Sequence, residues 1–230
     1  MTRGDLLGLL FSYAYAFGLL LLVEAIRRWR NYPTDFTRKL VHIGAGMWIW
    51  GILLLFNSWP LALIPTGTFI LFNALFLRFK IFSAMDPREG ATPGTVYFAF
   101  SCTLLLFVFH QGWEQGFPRG YEHYAMSGIM AMTWGDAFSA IIGKRFGRHR
   151  FEILKGRRLS LEGSCAGFLF TLAAVALTLR IMTSLSLGSV LLGGLIAAIV
   201  GTLLEMISPA GTDNLSVPIG VSLILFLPGL

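Results

Sequence analysis

Charge is what this chain has least of. Only 13% of its 230 residues are Asp, Glu, Lys or Arg, against roughly 25% in soluble domains, while 55% are hydrophobic and the mean hydropathy is +0.70. That scarcity excludes an ordinary soluble domain and points to an integral membrane protein. Cysteine is nearly absent as well. Cys102 and Cys165 both fall within apolar runs, so no disulfide framework or cysteine zinc motif is available, and both are expected to behave as small apolar residues. There is no soluble domain, no low-complexity segment and no clear internal repeat, and the longest hydrophilic stretch, Gly143 to Glu162, is about 20 residues. The Walker A pattern GxxxxGK[ST] does not occur. Nothing points to a nucleic-acid partner.

Apolar sequence of membrane-crossing length is abundant. A spanning helix needs about 20 residues, because backbone groups left unsatisfied in lipid cost several kcal/mol each. Such runs occur at Leu6 to Ile26, Leu40 to Phe56, Leu61 to Leu77, Thr92 to His110, Tyr124 to Ile142, Gly163 to Leu179 and Leu185 to Met206. A last segment, Leu215 to Leu230, is short and carries Pro218, so spanning, re-entry and packing all stay open for it. The expected fold is all-α, a polytopic membrane helix bundle with seven or eight transmembrane segments in a single integral membrane domain, 1–230. The first run is longer than a signal-peptide core and is followed by Arg27 and Arg28; it is expected to stay as an anchor.

Basic residues orient the bundle. Of the 18 Lys and Arg, all but Arg3, Arg119 and Arg180 fall in alternate loops on one side, which the positive-inside rule assigns to the cytoplasm, with the N-terminus outside. A basic face of this kind serves as a topology signal and binds lipid headgroups, a nucleotide, or both.

The acids are the anomaly. Asp136 sits in MTWGDAFSAIIGKRFGR, about 9 Å below the predicted cytoplasmic end of its span at the helical rise per residue. A carboxylate there is costly and is a functional candidate by default. Asp136, Ser139, Ala140, Gly143 and Gly147 share a small, polar helix face, which admits a neighbouring helix or a ligand. The plainer reading is a buried Asp paired with an arginine or capping a helix. Glu205 and Asp213 flank EMISPAGTDNLSVP on the same predicted side, where Pro209, Gly211 and Pro218 are expected to break any helix. Asp136, Glu205 and Asp213 are therefore candidate ligands for Mg²⁺, a hard cation that takes oxygen donors and usually holds substrate phosphates too. For Asp213 and Asn214 a simple turn is the alternative.

At the start of the second span, TDFTRKLVHIGAG offers Thr34 or Thr37 as a cap and places Arg38 and His42 four residues apart, with Lys39 beside them. Such residues snorkel to the interface or clamp phosphate oxygens, Arg with two donors and Lys as a point charge. His42 is a candidate acid or base, or a simple hydrogen-bonding group. After Asp136 the loop GKRFGRHRFEILKGRRLSLEGS supplies Lys144, Arg145, Lys155 and Arg158 to neutralise a phosphate. Its glycines are expected to let backbone approach that phosphate. Ser160 and Glu162 precede the next span as a candidate cap. Gly163 and Gly167 form a GxxxG pair suited to helix packing.

Together RKLVHIGAG at Arg38, GTVYF at Gly94, MTWGDAFSAIIGKRFGR at Met132, RRLSLEGS at Arg157 and TDNLSVP at Thr212 resemble the CTP-dependent polyprenol kinase family. That family includes phytol, dolichol and CTP-dependent diacylglycerol kinases and is distantly similar to phosphatidate cytidylyltransferases. The five motifs occur in the family's order from about Asp35 to Pro218. The resemblance implies a multi-span helical enzyme that moves the terminal phosphate of CTP to a lipid alcohol with a divalent metal, Mg²⁺. It implies catalytic roles for Asp136, Arg38, Lys39 and His42. The nucleotide would be held by Gly135, Gly143, Lys144, Arg145, Gly147, Lys155, Arg158, Ser160, Glu162, Gly163, Ser164 and Asn214, and the metal by Asp136, Asp213 and Glu205. Leu159 stands where many members carry a lysine, with Arg157 and Arg158 just upstream. Membrane lipids, a lipid alcohol and a nucleotide are the expected partners. The chain's size tilts the acceptor towards phytol or a similar prenol such as farnesol. Two alternatives remain: a cytidylyltransferase-like enzyme, and an ion-coupled transporter. The transporter needs acids in both halves of the bilayer, whereas nine of the 12 acids fall on the cytoplasmic side.

Overall fold

The computed structural model describes residues 1–82, 92–113, 120–154, 158–209 and 211–229. Among them run eight helices: α1 Arg3–Arg30, α2 Thr34–Leu55, α3 Trp59–Phe79, α4 Gly94–Val108, α5 Glu122–Phe146, α6 Leu161–Met182, α7 Leu187–Ile207 and α8 Asp213–Phe226. Each apolar run of the sequence thus becomes a helix. Six are long and apolar enough to cross a membrane, while α4 and α8, at 15 and 14 residues, are shorter. The protein is a multi-pass helical membrane protein.

Local chemistry sets the helix ends. Thr2 and Asp5 form a reciprocal capping box at the start of α1, and Asn31 ends it in the left-handed region at φ 52°. Ser160 caps α6 by accepting from the Gly163 amide at 3.1 Å, as the sequence implied. At α2 the expected cap by Thr34 or Thr37 does not form. The helix starts directly after Pro33, and the Thr37 hydroxyl donates back to the Thr34 carbonyl.

Pro218 is a second correction, because it lies inside α8 rather than breaking it. Proline removes the amide that would bond the carbonyl four residues earlier, here that of Asn214. Ser101 of α4 supplies the missing donor, its hydroxyl reaching the Asn214 carbonyl at 2.7 Å. Gly211, shortly before α8, stands at φ +88°.

The most enclosed helix is α5. Its membrane-length window is 72% buried, against 22% for α1, and it touches α2, α4, α6, α7 and α8. Close approach explains two glycines here. A Cβ on Gly46 of α2 would stand 2.0 Å from Thr133 Oγ1, and one on Gly128 of α5 would stand 2.2 Å from the Pro218 carbonyl oxygen. Between Ala131 and Asp136 the helix widens to π geometry, a local change that frees carbonyls and is frequent at functional sites. Between α5 and α6 the basic loop forms a short hairpin that sequence reasoning did not foresee, β1 Arg150–Glu152 with β2 Arg158–Ser160, pairing Phe151 with Leu159. Lys155 and Arg157 fall outside the described residues.

Candidate active site

Alternating helix direction brings the starts of α2, α4, α6 and α8 and the ends of α5 and α7 to one face of the bundle. Most of the candidate residues lie at those ends, and a cavity of about 1020 Å³ opens among them. Arg38, Lys39, His42, Asp136, Gly143, Lys144, Arg145, Arg158, Ser160, Gly163, Glu205, Asp213 and Asn214 all line it. Residues that lay far apart in sequence are thus assembled around one space.

Its centre is an ion pair. Lys39 Nζ donates to Asp136 Oδ2 at 2.5 Å, and both side chains are about nine-tenths buried. Among the described residues no donor reaches Asp136 Oδ1, so this oxygen is left to the cavity. His42 Nε2 lies 3.6 Å from the same carboxylate oxygen as Lys39 and 3.0 Å from the Met132 carbonyl. A carbonyl only accepts, so Nε2 carries the hydrogen, and the π segment supplies its acceptor. Phe98 meets the His42 ring edge-on, with centroids 4.6 Å apart. The residues that sequence placed one turn apart on α2 therefore converge on Asp136.

A second acidic group stands on the opposite wall. Glu205 accepts from Ser139 Oγ at 2.5 Å; Ser139 shares the Asp136 face of α5 but had no assigned role. Asp213 Oδ1 accepts from the Asn214 amide at 3.0 Å. Asn214 Oδ1 is buried with no hydrogen-bond partner among the described residues. Gly94 makes the room for Asn214, since a Cβ there would lie 3.1 Å from Asn214 Nδ2.

The rim is basic. Lys144 pairs with Asp35, and Arg145 stacks on Phe146 at 5.5 Å. Arg38, Arg150 and Arg158 form no hydrogen bond or ion pair with any described residue. Arg150 was missed in the sequence because it was one cation among seven in the loop. The β-hairpin brings it to the rim beside Arg158.

Several predicted nucleotide contacts stand behind the wall instead. Gly135 faces Thr171, where a Cβ would lie only 2.1 Å from the threonine hydroxyl, and Gly147 packs on Ser160. Gly163 and Gly143 line the cavity yet also press together: a Cβ on Gly163 would sit 2.9 Å from the Gly143 Cα. These glycines let α5 and α6 approach closely. Glu162 binds the Arg148 and His149 amides and the His149 ring, tying down the loop after α5. Ser164 is buried outside the cavity.

Asp213, Asn214 and Glu205 bring oxygen donors of the kind Mg²⁺ takes to the cavity. No group of three or more His, Cys, Asp or Glu close enough to hold a metal occurs among the described residues. A site shared with phosphates does not need one, since Mg²⁺ usually takes one or two carboxylates, several waters and phosphate oxygens. Asp213, the orphaned Asn214 oxygen and Glu205 supply such donors.

Compared with known proteins, the chain is 32% identical to a phytol kinase of Synechocystis sp. over 214 residues, covering 91% of this chain and 86% of that one. The chain belongs to the phytol kinase family. Within the family it is also 26% identical to a probable chloroplastic phytol kinase of Triticum aestivum, covering 93% of this chain and 74% of that protein. For a probable chloroplastic phytol kinase 2 of Glycine max the figures are 25%, 93% and 72%. No protein-family model and no solved structure matches the chain.

Proposed function

We propose that this protein transfers the terminal phosphate of CTP to the hydroxyl of a prenol, with phytol as the favoured acceptor. The observation that carries the proposal is the continuity of one cavity. Its rim holds Arg38, Lys144, Arg145 and Arg158, its middle holds Asp136, Lys39 and His42 with Phe98 against them, and apolar residues such as Ile49 and Ile52 continue it along α2. A polar donor and an apolar acceptor can meet in such a space with their reacting atoms beside Asp136. The kinase names of the relatives support the same reading.

In this mechanism the acceptor's hydroxyl oxygen forms a bond to the terminal phosphorus, the bond from that phosphorus to the bridging oxygen breaks, and CDP leaves with the electron pair. Asp136 Oδ1 accepts the hydroxyl proton, and Lys39 holds the carboxylate in place through Oδ2. Phosphoryl transfer depends chiefly on positioning and on neutralising charge over the moving group. Arg38 is assigned to grip phosphate with its planar fork of donors, and the rim cations draw the nucleotide in. Asp213, Asn214 and Glu205 would hold Mg²⁺, which when bound offsets negative charge on the phosphates. Lys39 already neutralises Asp136, which favours those groups over Asp136 as metal ligands. The positive-inside rule places this face in the cytoplasm and the N-terminus outside.

Purified protein given CTP, Mg²⁺ and phytol tests the proposal. Phytyl phosphate and CDP are expected, with ATP much poorer as donor. Release of pyrophosphate with cytidylyl transfer to phosphatidate would replace this reading with the cytidylyltransferase one.

A further inference from the structure

One face of α2 runs the whole depth of the cavity. Arg38, His42, Ala45, Ile49 and Ile52 recur at helical spacing and all line it. From Arg38 to Ile52 is roughly 21 Å at the rise of an α-helix. Ile52 is the last residue of α2 to line the cavity. Phe56 is buried, its ring fills the gap left by Gly8 of α1, where a Cβ would come within 2.6 Å, and its carbonyl accepts from Trp113 Nε1 at 3.1 Å. Cys102 of α4, one turn beyond Phe98, is buried and also lines the cavity.

The side wall near this apolar end is held in place. The Trp48 ring stacks on Tyr15 with centroids 4.5 Å apart and planes at 16°. Its Nε1 donates to Ser12 Oγ at 2.9 Å, and the Tyr15 hydroxyl donates to the Gly44 carbonyl at 3.0 Å. The two rings are half-buried, and each has its polar tip held by a partner on the other helix, so moving either ring aside breaks a hydrogen bond. Gly51 gives the indole its place, since a Cβ there would stand 2.9 Å from the Trp48 ring. Gly44 lets α1 close the seam, with Leu19 2.7 Å from where its Cβ would be.

We infer that this apolar end is a chain-length ruler for the acceptor, with Trp48 as its wall, Ile52 as its floor and Cys102 on its side along the way. The inference rests on the prenol kinase reading and adds which alcohols the site rejects. A prenol whose hydroxyl reaches Asp136 has to lay its tail along α2, and a tail longer than that path meets Ile52 and Phe56. Geraniol, farnesol and phytol are accepted, and solanesol is excluded by length rather than by headgroup.

The test uses the full chain, purified in detergent, with geraniol, farnesol, phytol and solanesol as acceptors. Thermal stabilisation by each alcohol without nucleotide is a second readout, and gel filtration checks folding. Wild type is expected to favour phytol over solanesol at least about tenfold in both readouts. Trp48→Ala removes the wall and should raise solanesol relative to phytol by at least about tenfold. Cys102→Phe narrows the cavity between His42 and Ile52 and should lower phytol relative to geraniol by a similar factor. Length profiles that stay as in wild type in both folded variants overturn the ruler, even if phytol is phosphorylated. If turnover is absent but stabilisation depends on length and shifts in the variants, the ruler stands and the kinase reading falls.

Discussion

Two buried aspartates mark the two ends of the bundle, and they are occupied very differently. Asp5, near the start of α1, is 1% exposed and has both oxygens filled. Oδ2 accepts from the Thr2 amide and hydroxyl at 2.8 and 2.9 Å, and Oδ1 from the Asn57 and Ser58 amides at 3.0 Å each. It joins α1 to the α2–α3 turn and has no spare lone pair facing a cavity. Asp136 is nearly as buried but is bound through one oxygen, to a lysine, with the other turned to a cavity. Burial alone therefore does not mark a reactive carboxylate. The unfilled coordination of a buried one does.

The largest effect should come from the reactive end. Asp136→Asn keeps shape and removes the base, so turnover should fall about 10²–10⁴-fold, and thermal stability should fall as well, because the buried Lys39 ammonium loses its anionic partner. Lys39→Met should be nearly as damaging to activity and should also destabilise the protein by about 3–5 kcal/mol, because it leaves a buried carboxylate unpaired. Combining the two substitutions should restore much of the stability and none of the activity, a result that double-mutant analysis of unfolding would read directly.

Next comes Arg38→Ala. The loss of a charged grip on phosphate should cost about 1.5–3 kcal/mol in kcat/KM for the nucleotide, with the prenol term little changed. At the opposite end, Asp5→Ala should cost about 1–3 kcal/mol of stability by stranding the Asn57 and Ser58 amides, while kcat stays within about twofold of wild type because the sites are far apart. An Asp5 variant that lost turnover while remaining folded would erase the contrast between the two aspartates. The smallest effect belongs to Lys144→Ala. Lys144 and Asp35 are largely exposed, so their pair should be worth less than about 1 kcal/mol and fade as salt rises.

Apolar runs announced all the helices, since each needed only length and hydropathy. The cluster at one face was legible too, because Arg38, Lys39, His42, Asp136, Glu205 and Asp213 stood at run ends that alternation brings together. What sequence did not disclose was how neighbours rescue local defects. Pro218 reads as a breaker until Ser101, more than a hundred residues away, is seen to fill the vacant acceptor. Gly135 and Gly147 read as phosphate-approach glycines until Thr171 and Ser160 appear against them. Trp48 was one aromatic among many in an apolar helix. Its role depends on Tyr15 and Ser12 from another helix, which periodicity within α2 cannot report.

The central claim is that Asp136 serves phosphoryl transfer to a prenol at the basic end of the cavity. CTP labelled in its terminal phosphate, incubated with phytol and either wild type or Asp136→Asn, tests it most directly. The account predicts label in phytyl phosphate for wild type and about background for a variant that is still folded at the assay temperature. Label appearing in pyrophosphate, or an Asp136→Asn protein that phosphorylates phytol as fast as wild type, would contradict it.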